Sequence, residues 1–286
     1  LPANGMWGGL IIMGHAPVYG TTDEVEGITG YTYGGTDSTE SSGTLEYVRV
    51  WYGGAVIGEN NEINGITLAG VGSGTTVNHI EVAFNLDDGV ELFGGTVNMK
   101  YVSILFCGDD SLDTDKGYQG KIQYLYIMVG ATGHHAFEMD GNTASSGSSQ
   151  SQPRSFPCVY SATIVHHMSG SPGSVSSDDQ AEATLRLREG TGGEFGNIIV
   201  THVPNVGVMQ DTCGTEARTQ TLPSRGSPNY LWFSSNNIIY GASGVTNFDL
   251  GSGCSGLSTA RNVDPELTLM QGEADAQTMG VDPRPI

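Results

Sequence analysis

The chain has 286 residues, of which 43 are glycine, 37% are hydrophobic and only 15% are charged, so it can bury a sizeable core but disfavours a helical fold. A formal charge of -20, with only 11 Lys plus Arg, argues against nucleic acid or an anionic membrane as partner. It fits cation binding, solubility outside the cell, or both, and no apolar run of about 18 residues predicts a membrane-spanning segment.

From the N-terminus, Leu1-Pro2-Ala3 lacks a Met and reads as the start of a mature or excerpted chain. Residues 1–43 contain Gly9-Leu10-Ile11-Ile12-Met13-Gly14 and Gly27-Ile28-Thr29-Gly30, which are expected to form N-terminal capping coils. A strand phrase then begins to recur, as Leu45–Val50, Val77–Val82, Met99–Ile104 and Ile122–Ile127. Weaker copies follow at Val159–Ile164 and Phe195–Val200, with a degenerate one at Ser235–Tyr240. Alternation of period two over short runs bounded by Gly predicts strands, and no segment has helical periodicity.

A second, shorter phrase follows each first one, starting at Ile66, Val90, Leu112, Phe137, Leu185 and Val208 and usually preceded by a small residue. Val90 and Leu112 lie 13 residues after Val77 and Met99, while Phe137 lies 15 after Ile122, leaving room for a longer turn. The rungs starting at Val77, Met99 and Ile122 are 22 and 23 residues apart. Such a repeat predicts a single all-β solenoid domain, a parallel β-helix with stacked rungs over 44–254. Inserts explain the irregular spacings: a loop around Gly58–Asn61, and longer ones at Gly141–Gln152, Ser169–Gln180 and Gly214–Ser227. Residues 255–286, with Pro265, Pro283 and Pro285, read as a C-terminal tail outside the ladder.

Four cysteines, Cys107, Cys158, Cys213 and Cys254, lack CxxC spacing and allow three disulfide pairings or none. Cys213 with Cys254 is the preferred pair, closing the insert between the last two rungs. There is no Asn-x-Ser/Thr sequon to indicate N-glycosylation.

Trp7–Gly14, Ser42–Val50, Glu62–Leu68 and Asp87–Val97 resemble secreted bacterial proteins of the pectate-lyase-like, right-handed parallel β-helix class, the likeness being clearest over residues 6–140. The resemblance implies a right-handed parallel β-helix, a secreted or cell-surface location and no particular activity, since many of these proteins are surface modules. The wider superfold includes polysaccharide lyases and hydrolases, but a fold alone does not license an enzymatic reading.

The repeat aligns carboxylates. Asp87 falls beside Asp109, Asp88 beside Asp110 and Glu91 beside Asp113, with Glu138 continuing the last column. Rungs lie about 4.8 Å apart, so neighbouring carboxylates repel by about 1 kcal/mol per pair even in water. Three readings follow: solvated outward acids, a Ca²⁺ site made of Asp87, Asp88, Glu91, Asp109, Asp110 and Asp113, or catalysis by Asp109, Asp110 and Asp113 as acid and base on a polysaccharide. A lyase would also need a base, for which Lys116, Lys121 or Arg186 could be recruited. Arg186 occupies the column position of Glu138, where a salt bridge is the simpler role.

His134-His135 and His166-His167 could hold zinc, but adjacent histidines on a strand face opposite ways, so each pair offers one inward ligand. The column Tyr47, His79, Tyr101, Tyr124, Ser161, Asn197 and Asn237 reads as stacking and hydrogen bonding along the solenoid; facing outward, with Trp51 and Tyr52, it would bind glycan rings. Two functions are therefore expected in competition. One is a non-catalytic extracellular scaffold, binding Ca²⁺ and associating into an oligomer or filament through exposed end strands. The other is a polysaccharide lyase or glycoside hydrolase acting through the acidic column.

Overall fold

The computed structural model describes residues 3–58, 61–141, 152–166, 183–212, 231–233, 237–241, 246–251 and 268–271. Every regular element in these residues is a strand. Chain order runs β1 (Leu10–Met13), β2 (Asp23–Glu24), β3 (Thr32–Tyr33), β4 (Thr44–Glu46), β5 (Arg49–Trp51), β6 (Val56–Gly58), β7 (Asn61–Glu62) and β8 (Ile66–Ala69). It continues through β9 (Thr76–Ala83), β10 (Val90–Phe93), β11 (Asn98–Leu105), β12 (Leu112–Asp115), β13 (Lys121–Val129), β14 (Phe137–Asp140) and β15 (Cys158–His166). The later strands are β16 (Ala183–Arg188), β17 (Gly193–Val203), β18 (Val206–Asp211), β19 (Leu231–Phe233), β20 (Ile238–Gly241), β21 (Thr246–Leu250) and β22 (Thr268–Gln271).

The chain alternates between two parallel sheets. One runs β1-β8-β10-β12-β14-β16-β18-β21 and the other runs from β4 and β5 through β9, β11, β13, β15, β17 and β20 to β22. This is a parallel β-helix, and its register is the one the repeat predicts. Ile66, Val90, Leu112, Phe137, Leu185 and Val208 stack in one column. Leu45, Val77, Met99, Ile122, Val159 and Phe195 stack in the other. From Ile66 and Val77 onward these columns are buried and form one continuous core, with Leu45 partly buried at its end. No rung buries its apolar face alone, so the stack is what makes each strand stable.

The wider sheet turns a corner in every rung. Within β9, β11, β13, β15 and β17 the pairing skips one residue, His79, Tyr101, Tyr124, Ser161 and Asn197, each with φ between 51° and 62°. That left-handed conformation costs a residue with a Cβ roughly 1–2 kcal/mol. Stacking offsets it: the rings of Tyr47, His79, Tyr101 and Tyr124 follow one another at 4.7, 4.5 and 4.9 Å, and such pairs contribute about 0.5–1.5 kcal/mol each. Tyr52, Phe84 and Phe106 form a second ladder at 5.3 and 5.5 Å, again with positive φ. Because each inner ring has both faces against its neighbours, the ladder is a corner device and its inner faces are closed to a sugar. Asn237 departs from this column. It lies one position along, buried, with its Oδ1 accepting from the Ile198 N–H at 2.9 Å.

The N-terminal capping region has two parts. β1 caps the narrow sheet by pairing with β8. The chain then leaves the solenoid and crosses the outer face of that sheet, where β2 and β3 form a short antiparallel pair. Pro17 accepts from Gly95 at 2.8 Å, Tyr19 donates to the Lys116 carbonyl at 2.8 Å, and Lys116 reaches Asp23 at 3.3 Å. Val18, Val25 and Tyr33 cover Ala69 and Phe93 in a small second core. Gly27–Gly30, expected to echo a rung, is instead a turn in this strap, closed by Ile28 N–H to Val25 O at 2.9 Å. At the other end, the expected tail contributes one more strand, since β22 pairs in parallel with β20. The prolines of that tail lie outside the described residues. β6 and β7, on either side of the expected loop at 58–61, pair antiparallel. Most of the three longer inserts, and both Cys213 and Cys254, lie outside the described residues. Cys107 and Cys158 form no disulfide with each other.

Candidate metal centre

Each strand of the narrow sheet is entered through a tight turn, and the turns repeat as faithfully as the strands. Gly65 N–H donates to Asp88 O, Gly89 N–H to Asp110 O and Ser111 N–H to His135 O, all at 2.9 Å. The small residues are required here: a Cβ on Gly89 would lie 2.6 Å from Ser111 O and 2.3 Å from Ile104 Cγ2. Asp87-Asp88, Asp109-Asp110 and His134-His135 therefore occupy the same place on three successive rungs. Their side chains link the rungs. Asp88 Oδ1 accepts the Asp110 N–H at 2.9 Å, and Asp110 Oδ1 accepts the His135 N–H at 2.7 Å.

The strands add a second row. Thr67, Glu91, Asp113, Glu138 and Arg186 are in register on the outer face. Two positions further along β14 and β16, Asp140 faces Arg188. Arg186 Nη1 lies 3.1 Å from Glu138 Oε1, Arg188 Nη1 lies 3.0 Å from the same oxygen, and Arg188 Nε lies 2.9 Å from Asp140. The basic residues thus sit directly against the last acids of the row, Glu138 and Asp140, with Arg188 also within the field of Asp113. Asn64 donates to Glu91 from the preceding rung.

Between the two rows lies a cleft of about 310 Å³, walled on one side by Val25 and Glu26 of the strap. Nine of its lining residues are acids, against two arginines and two histidines. Oxygens of Asp88, Glu91 and Asp113 fall within 4.8 Å of one another, as do ligand atoms of Asp87, Asp88 and Asp109. The same holds for Asp109, Asp110 and His134, and for Asp110, His135 and Glu138. Asp113 Oδ1 is buried without a hydrogen-bond partner.

Electrostatics divide the cleft. Burial, reinforced by neighbouring carboxylates, holds Asp88, Glu91 and Asp113 well above the usual carboxylate range. Burial and the charges of Asp109 and Glu62 push Asp87 up to about 7. Asp110 goes the other way: burial alone would raise it, but the charge and hydrogen bonds of His135 outweigh burial and lower it. Reciprocally, Asp110 raises the His135 imidazole against the opposing effect of burial. His134 is raised in the same manner by its contact with Asp109.

All six acids expected to bind metal line this cleft, including the three offered as catalytic. Arg186 lines it too, salt-bridged to Glu138, whereas Lys116 faces Asp23 and Asp115 and Lys121 begins β13 in the other sheet. The histidines need a correction. His134 and His135 precede β14 in a turn, so the opposite-face rule for strands does not apply and both rings face the acids of the cleft. His166, by contrast, ends β15 in the wide sheet, and His167 lies outside the described residues. The signal for the histidine contribution was present in the repeat: His134-His135 stands where the two preceding rungs carry Asp-Asp.

Neither a search of curated proteins nor a search of solved structures returns a match. A family model, described as a pectate-lyase like beta helix domain, matches residues 1–225 and covers the rungs through β18 and every residue of the cleft. The chain belongs to the pectate-lyase-like β-helix domain family.

Proposed function

We propose that this β-helix is a non-catalytic scaffold module whose acidic cleft binds a divalent cation, with Ca²⁺ the best-suited ion. The observation that carries the reading is the cluster Asp88, Glu91 and Asp113. These are three carboxylates from two adjacent rungs with oxygens within 4.8 Å of one another, Asp88 buried and Asp113 Oδ1 enclosed without a hydrogen-bond partner. Like charges that close need neutralisation, and the two arginines of the cleft are placed against Glu138 and Asp140 instead. Clustered oxygen ligands favour a hard cation. An ion there would bridge the rungs of β10 and β12, adding to the packing, the ladder hydrogen bonds and the Asp88–Asp110 link between them.

The test is thermal unfolding of protein stripped with EDTA, with and without Ca²⁺. A rise in melting temperature on adding Ca²⁺, lost in Asp113→Asn, is expected. An unchanged melting temperature for the wild type in both conditions would remove the cation from this reading.

A second reading keeps a specific foothold. Asp88 and Asp110 are joined by a hydrogen bond between their rungs yet are pushed toward opposite protonation states, as a general acid and its partner require. Release of oligosaccharides from a polysaccharide panel by wild type, abolished in Asp109→Asn with Asp110→Asn, would establish lyase or hydrolase activity in place of the scaffold.

A further inference from the structure

The cleft is not chemically uniform along its length. Toward β10 its ligands are carboxylates alone, and toward β14 the turn supplies two imidazoles in place of two aspartates. Ligand atoms of Asp110, His135 and Glu138 lie within 4.8 Å of one another, and so do those of Asp109, Asp110 and His134. His135 Nδ1 stands 2.8 Å from Asp110 and 3.8 Å from Glu138. The ring is 1% exposed, and its Nε2 is enclosed with no hydrogen-bond partner. Nδ1 already lies against two of these carboxylates, so an ion there would take Nδ1 together with the Asp110 and Glu138 oxygens as ligands.

We infer that the histidine end of the cleft is a second cation site of different selectivity, taking a first-row transition metal such as Zn²⁺ through His134 and His135 with Asp109, Asp110 and Glu138. It deepens the cation reading and rests on it for the cleft's role, but it uses its own ligands. Imidazole with carboxylate suits Zn²⁺, Co²⁺ and Ni²⁺, whereas oxygen ligands alone suit Ca²⁺. Two sites a few ångströms apart share Asp109 and Asp110 as a wall, so a filled histidine end also lowers the repulsion felt by Asp87 and Asp88.

The experiment uses the full chain stripped of metal and titrated separately with Co²⁺, Zn²⁺ and Ca²⁺. Co²⁺ should give a visible ligand-field spectrum, displaced by Zn²⁺ and not by Ca²⁺. His134→Asn, which alters the more exposed ring, should weaken Co²⁺ binding roughly tenfold or more while leaving the Ca²⁺-induced rise in melting temperature in place. His135→Asn should do the same, with circular dichroism confirming that it folds. Asp113→Asn should have the opposite profile, losing the Ca²⁺ effect and keeping the Co²⁺ spectrum. No Co²⁺ spectrum in wild type, or one unchanged in both histidine variants, overturns the inference. Loss of the Ca²⁺ effect alone, with the Co²⁺ spectrum intact, sinks the Ca²⁺ reading and leaves this one standing.

Discussion

His135 and Asp110 meet twice across adjacent rungs: Asp110 Oδ1 accepts the His135 backbone N–H at 2.7 Å and lies 2.8 Å from His135 Nδ1. The pair is buried, and each partner shifts the other toward its charged form. Replacing Asp110 by Ala strands two buried donors and is expected to destabilise the fold by about 3–5 kcal/mol. Asp110→Asn keeps a backbone acceptor and should lose less, about 1–3 kcal/mol. Urea unfolding of both variants beside wild type checks the order; equal losses would mean that the carboxylate's charge matters and its shape does not.

Stability of the metal-free protein should fall as pH rises from about 4 through about 7. Burial and neighbouring charges push Asp87 up to about 7 in the folded chain, and Asp88, Glu91 and Asp113 are also held above the usual carboxylate range. Unfolded carboxylates lose their protons near 4. Across that window the folded state binds more protons than the unfolded one, so the stability present below about 4 is lost as pH climbs. His135 adds the same sign: its contribution is complete below about 6.5 and disappears as pH passes its raised folded value. Asp110, being lowered, acts only in the opposite direction at acid pH. Melting temperatures in EDTA between about pH 4.5 and about pH 8 measure the slope, and a rise over that range would contradict the buried acidic cluster.

The stabilisation by Ca²⁺ has a definite size. At a free concentration one hundred times the dissociation constant, binding to the folded state alone contributes about 2.7 kcal/mol. For a chain of this length that corresponds to a rise of roughly 5–11 °C. The rise should be larger at pH 8 than at pH 5, because protons and Ca²⁺ compete for the same oxygens.

Core and corner should respond differently to truncation. Phe137, fully buried between Leu112 and Leu185 in its column, should lose about 3–5 kcal/mol on change to Ala. Tyr101 is half-exposed in the ring ladder at φ 56. Its change to Ala removes two stacking contacts and keeps the strained backbone, whereas Tyr101→Gly removes the same contacts and relieves the strain, so Gly should be the more stable of the two by about 1 kcal/mol. Chemical denaturation of the pair decides it; Ala above Gly would mean that the positive φ is not maintained in solution.

The repeat was the legible part. Apolar positions such as Val77, Met99 and Ile122, or Val90, Leu112 and Phe137, are spaced so that only parallel stacking buries them all, and the register follows from that spacing. The column of Glu91, Asp113 and Glu138 comes with it, since residues in register must lie side by side. The strap was not legible. Val18, Val25 and Tyr33 are too sparse to give a period, and they are placed by Ala69 and Phe93 on a sheet that the strap itself does not join.

The sequence by itself determined which residues form rungs and which acids share a column, because a stacked repeat converts spacing along the chain directly into proximity between chains of side groups. Only the tertiary structure decided which way those side groups point and what encloses them. The turn before β14 brings His134 and His135 to the same cleft, where a strand would have split them. Arg186 and Arg188 pair directly with Glu138 and Asp140, while oxygens of Asp88, Glu91 and Asp113 gather within 4.8 Å of one another. The strap closes one wall and strips water from the group. Burial and charge balance depend on everything that surrounds a residue, and a one-dimensional spacing carries no record of that.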